Sequence, residues 1–174
     1  VCVATNRSKE SAPMTNDNGR VITAEIDIAT PPPAVWNVFR DLEGWPNWNA
    51  ACKEAHWTDG ASWHRGSTLE MVLAVGDELV TVQATLAEDD FPWLITFESS
   101  AEGLHFERKF ELDYTGRKSM QIDTMTFAED IDQAQIDSFR PGWELMVRTS
   151  LESLKTEVQR VGTEGIWELT ARRR

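Results

Sequence analysis

The sequence predicts an α+β fold: a curved antiparallel sheet of about seven strands wrapped on a long C-terminal helix, with two short helices after the first strand. Three observations carry the expectation. Residues 21–29, VITAEIDIA, alternate apolar and polar positions at a period of two. Further strand-like runs then follow one another between turn residues. From Pro141 onward, apolar residues recur every three or four positions.

In the first strand, 21–29, Ile22, Ala24, Ile26 and Ile28 share one face, and Thr23, Glu25 and Asp27 share the other. Pro31 to Pro33 follow. A residue before proline avoids the helical region, so Pro31 and Pro32 are expected to be extended and Pro33 to open a helix. Val35, Phe39 and Leu42 mark one face of that helix, and Gly44 and Pro46 stop it. Asn47 to Cys52 is expected to form a second short helical turn.

Strands are expected at 53–58, 67–75, 78–87, 93–99, 104–114 and 118–128. Gly60, Gly66, Gly76-Asp77, Asp89-Asp90, Gly103 and Gly116 supply the turns between them. Strands joined by short turns imply an antiparallel meander. The last element runs over 141–160, about five helical turns. Trp143, Val147, Leu151, Leu154 and Val158 form its apolar stripe, while Glu144, Arg148, Glu152 and Lys155 project elsewhere. Pro141 fits its first turn. A sheet with one apolar face needs a cover, and only this helix is large enough. Space between a curved sheet and its helix is a natural ligand site.

A chain of 174 residues suits one domain with a sizeable core, here 21–160. Residues 1–20 read as a disordered polar arm. The tail, 161–174, leaves the helical pattern at Gly162, and its Trp167 and Leu169 are able to dock on the body. A formal net charge of -12 argues against nucleic acid and anionic membranes as partners. No apolar run approaches the roughly 20 residues that span a bilayer. VCVATNRSKES lacks the apolar stretch of a signal peptide, so a cytoplasmic location is expected. Cys2 and Cys52 do not make a disulfide framework.

The stretch IDIATPPPAVWNVFRDLEGWPNWNAACKEA resembles the opening of the START-like, or SRPBCC, superfamily, and most of all its polyketide cyclase/dehydrase branch. There a strand leads to Pro, then Val-Trp, then Asp, then an aromatic-Pro-x-Trp turn. Here those residues are Pro33, Val35-Trp36, Asp41 and Trp45-Pro46-Asn47-Trp48. Gly66, the run PWLITFES at 92–99 and SLESLKTEVQ at 150–159 agree as well. The resemblance spans residues 21–160 and implies a helix-grip fold with a deep cavity for hydrophobic small molecules. Members of the superfamily include lipid carriers, hormone receptors, cyclases and chaperone activators, so no catalytic residue carries over.

Five of the 8 tryptophans fall between residues 36 and 63, concentrated around GWPNWN. Trp36 is expected in the core. Trp45 and Trp48 bracket a proline turn, either as core or as cavity wall. His56, His64 and His105 lack metal-ligand spacing and are expected at the surface; no metal and no cofactor are expected. No nucleophile motif, phosphate loop or dinucleotide fingerprint occurs, and no inward His, Glu or Asp stands out, so no catalytic residue is assigned.

Arg108 breaks its strand's pattern, because it shares a face with Leu104, Phe106, Phe110 and Leu112. It orients a polar group of a ligand, pairs with an internal carboxylate, or sits near the open end in water. The expected ligand-binding residues are Trp45, Trp48, Leu69, Met71, Leu73, Phe97, Phe106, Arg108, Phe110, Trp143, Met146 and Val147, with Val80, Val82 and Ile95 in the wider lining. The expected function is binding of a hydrophobic small molecule such as a lipid, polyketide or isoprenoid. A polyketide cyclase/dehydratase-type enzyme and a chaperone-activator-like protein-binding module are the alternatives. The oligomeric state is not legible.

Overall fold

A computed structural model describes residues 19–171, with side chains described to Gly162. Seven strands form one antiparallel sheet: β1 (Val21–Ile28), β2 (Cys52–Asp59), β3 (Thr68–Val75), β4 (Glu78–Asp90), β5 (Leu94–Ala101), β6 (Leu104–Tyr114) and β7 (Ser119–Phe127). Their order is β1-β7-β6-β5-β4-β3-β2, so strands β2 to β7 make the expected meander and β1 closes beside β7. Three helices complete the domain: α1 (Pro32–Phe39), α2 (Trp45–Trp48) and α3 (Gln133–Ala171). α1, α2 and a 3-10 turn at Leu42–Gly44 carry the chain from one sheet edge to the other. α3 packs on the sheet, which is the helix-grip arrangement.

Period-two patterning explains the sheet. In β3, Leu69, Met71, Leu73 and Val75 are buried and their neighbours are not. The inward residues of β4, Val80, Val82, Ala84 and Leu86, continue that surface. α3 covers it with Trp143, Met146, Val147, Leu151, Leu154 and Val158, all buried. Trp143 meets Phe106 edge-on at 5.2 Å, and Phe106 meets Phe127 at 6.0 Å.

Several boundaries differ from the sequence expectation. α3 starts at Gln133, not Pro141, because Asp132 Oδ1 accepts the Ala134 N–H at 2.9 Å and caps the first turn. Pro141 therefore lies inside the helix, where its missing N–H removes one internal hydrogen bond. The helix also continues through Gly162 to Ala171. Docking by Trp167 and Leu169 lies outside the described side chains, as does most of the arm over 1–20.

The second helix is Trp45–Trp48 rather than 47–52, because Pro46 starts it instead of merely ending its predecessor. Leu42 has left α1, which begins at Pro32 and stops at Phe39, yet Leu42 stays 2% exposed. Asp89 and Asp90 belong to β4, paired with Ile95 and Leu94, and the turn moves to Phe91–Trp93. No helix among the described residues is long and apolar enough to cross a membrane.

Gly142 sets how closely α3 approaches the β3–β4 turn. A Cβ there would meet Val75 Cγ1 at 3.0 Å and the backbone of Val75 and Gly76 at 3.2 Å. Gly142→Val is expected to destabilise the domain by about 1–3 kcal/mol, the usual cost of overpacking. Urea denaturation measures this; an unchanged midpoint would show that the turn yields freely.

Candidate ligand site

The site is built on the inward face of two neighbouring strands. In β6, Phe106, Arg108 and Phe110 point inward; in β7, Gln121, Asp123 and Met125 do. The register pairs Phe110 with Asp123 and Arg108 with Met125, so Arg108 and Asp123 are diagonal neighbours within reach of a long side chain. Arg108 Nε donates to Asp123 Oδ1 at 3.1 Å and Nη2 donates to Oδ2 at 2.6 Å. Arg108 is 4% exposed and Asp123 is 0% exposed. The guanidinium also lies over the Phe110 ring at 4.8 Å.

These two facing charges line a cavity of about 20 Å³, room for one water molecule. Its walls are Phe39 of α1, Trp45 and Trp48 of α2, Asn49, Phe110, and Ser150, Leu151 and Leu154 of α3. Trp45 is buried, donates from Nε1 to Phe39 O at 2.7 Å, and packs on the Phe39 ring at 4.8 Å. Trp48 is half-buried, 6.1 Å from Trp45, and its Nε1 is buried without a hydrogen-bond partner among the described residues. The two tryptophans of GWPNWN thus divide the work: Trp45 ties α2 to α1, while Trp48 keeps a donor unused.

Two more donors on this wall are unused. Arg108 Nη1 makes no hydrogen bond among the described residues, and neither does the Asn49 side-chain nitrogen, whose oxygen accepts the Ala51 N–H at 3.0 Å. Cys52, 2% exposed, donates from Sγ to Glu54 O at 3.3 Å. Burial pushes its thiol up to about 11, against the opposing pull of the Arg108 charge. Cys52 is therefore a neutral thiol at ordinary pH, not a nucleophile.

Of the residues expected to bind ligand, Trp45, Trp48, Arg108 and Phe110 meet at this cavity. Leu69, Met71, Leu73, Phe97, Phe106, Trp143, Met146 and Val147 are buried in the core but do not line it. Trp143 instead lines a separate recess of about 320 Å³ between the β3–β4 and β5–β6 turns and α3. Asp123, Asn49 and Ser150 were missed. Asp123 overturns the expectation that no acid faces inward: it shares its strand face with Met125 and Phe127, a parity the sequence already contained. All three histidines are exposed. No group of three or more His, Cys, Asp or Glu among the described residues could hold a metal ion.

Breaking a buried ion pair leaves an uncompensated charge, while replacing both partners removes the problem. Arg108→Met is expected to cost on the order of 3 kcal/mol, and Arg108→Met with Asp123→Leu to recover most of that. Denaturation of the two variants measures the coupling; additive losses would argue against it. Cys52 gives a pH signature. Its folded pKa lies above the unfolded value, so its stabilisation is present below about pH 9 and is lost as pH rises towards 11. The loss is expected to be on the order of 2 kcal/mol, read as a steeper alkaline fall in stability for the wild type than for Cys52→Ala.

Residues 20–159 match the family described as polyketide cyclase/dehydrase and lipid transport. No curated protein sequence matches the chain. The fold is similar to the Zhui aromatase/cyclase from Streptomyces sp. R1128, with a TM-score of 0.66 at 16% identity over 81% of this chain and 94% of that one. It is equally similar to a START superfamily protein from Mycobacterium smegmatis, with a TM-score of 0.66 at 11% identity over 81% and 98% of the two chains. Ginseng major latex-like protein 151 from Panax ginseng has a TM-score of 0.63 at 10% identity, covering 79% and 95%. At these identities the likeness is one of fold alone. The family match, spanning most of the chain and agreeing with the helix-grip architecture, places this protein in the polyketide cyclase/dehydrase and lipid transport family.

Proposed function

We propose that this chain binds a largely apolar small molecule, such as a lipid, polyketide or isoprenoid, between α2, α3 and the inner face of β6 and β7. One observation carries the reading. A wall of aromatic and aliphatic side chains encloses a buried ion pair and polar donors with no partner among the described residues. Small-molecule sites combine apolar walls with a few placed polar groups in this way. The family's description, which includes lipid transport, agrees.

The cavity of about 20 Å³ is far below the roughly 300–1,000 Å³ of occupied ligand pockets. Binding therefore requires α2 and the Ser150–Leu154 turn of α3 to move away from the sheet. α2 is a single turn whose Trp48 is only half-buried, so it is the wall that yields most readily. The arrangement favours binding over catalysis. Both Asp123 oxygens are engaged by Arg108, the Cys52 thiol is protonated, and the histidines lie outside. Among the described residues at the cavity, the one carboxylate is held by Arg108 and no histidine stands beside it as a proton carrier.

Methyl 2-naphthoate is a suitable probe for this space. Its binding is expected to quench tryptophan fluorescence, and Trp48→Ala to weaken it roughly tenfold, the ratio for a lost aromatic contact and donor. Trp45→Ala is expected to lower the melting temperature as well, because it removes the bond to Phe39 O. Unchanged affinity in Trp48→Ala would place the ligand elsewhere. Native mass spectrometry of the freshly purified protein identifies whatever it carries.

A further inference from the structure

We infer that this site selects a neutral, oxygen-bearing ligand and rejects the carboxylate of the same shape. The inference rests on the binding reading above and concerns the charge its ligand carries. A lone buried arginine would attract an anion, which is one of the readings the sequence leaves open for Arg108. The structure cancels that charge. Asp123 takes two hydrogen bonds from the guanidinium, and both groups are almost fully buried. Among the described residues they are the only charged side chains on the cavity wall, so that wall carries no net charge. Cys52 does not alter this balance, since its thiol stays protonated.

A ligand carboxylate would enter as a second anion beside Asp123. It would lose its hydration and meet a like charge where little water remains to screen either. A ketone, ester or lactone oxygen meets neither difficulty. The wall offers it unused donors at Arg108 Nη1, Trp48 Nε1 and the Asn49 amide nitrogen. The acceptors beside them, Asp123 Oδ1 and Oδ2 and Asn49 Oδ1, each already take a hydrogen bond from the protein, whereas these donors have no partner among the described residues. The matching ligand is therefore acceptor-rich and uncharged.

The test compares two matched pairs by calorimetric titration at neutral pH: methyl 2-naphthoate with 2-naphthoate, and methyl decanoate with decanoate. In the wild type each ester is expected to bind roughly tenfold or more tightly than its acid. Asp123→Asn removes the cancelling charge and is expected to reverse the order, so that the acids bind better. A melting curve shows whether that variant folds; if it does not, the wild-type ratio decides alone. Acids binding as well as esters to the wild type would overturn the selectivity and leave the binding reading intact. No binding of any of the four probes would overturn both. An ester preference that survives in folded Asp123→Asn would overturn the role assigned to Asp123.

Discussion

Arg108 and Asp123 place two opposite charges between a sheet and its covering helix, where neither is stable without the other. Much of the interior is arranged around that pairing. It needs β6 and β7 in one register, because a slip of one residue would send the two side chains to opposite faces of the sheet. It needs cover from α3, which brings Ser150, Leu151 and Leu154 over the pair and keeps bulk water out. Phe110 adds a ring against the guanidinium and shares the cavity wall with it.

The aromatic side chains transmit this arrangement sideways. Phe39 touches Trp36, Trp45, Trp63 and Phe110, with ring centroids between 4.7 and 6.1 Å. It therefore joins α1, α2, the β2–β3 connection and the sheet in one cluster. Trp63 extends the cluster to Trp57 and Phe97 and donates from Nε1 to Arg40 O at 2.7 Å. Arg40 in turn pairs with Asp89 and lies over the Trp63 and Phe91 rings. The concentration of tryptophan between residues 36 and 63 follows from geometry. The short helices meet a strongly curved sheet there, and large flat side chains fill the wedge between them.

That filling explains why the fold shows a packed interior rather than an open chamber. The side chains expected to surround a ligand mostly surround one another, and only a small volume stays open beside the ion pair. Trp48 Nε1, buried there without a partner among the described residues, marks one place where packing is incomplete. α2 supplies one wall of it with a single helical turn, an element too short to hold itself without its neighbours. A ligand would exchange for contacts that are few and local, without disturbing the β3 and β4 face of the core.

The sequence by itself determined the elements and their order. Period-two runs and turn residues are local, and β6 was placed at 104–114 without error. It also determined that Arg108 faces inward, since parity with Phe106 and Phe110 leaves no other direction. Local signals that compete were less legible. Asp132 outweighed Pro141 in starting α3, and Pro46 opened α2 where it was expected only to end α1. Only the tertiary structure decided what Arg108 meets. Asp123 is 15 residues away in sequence, and the distance between them depends on the pairing of β6 with β7 rather than on either strand alone. The size of the cavity was likewise beyond the sequence, because it depends on how Trp45, Trp48 and α3 settle against that face, a property of packing and not of pattern.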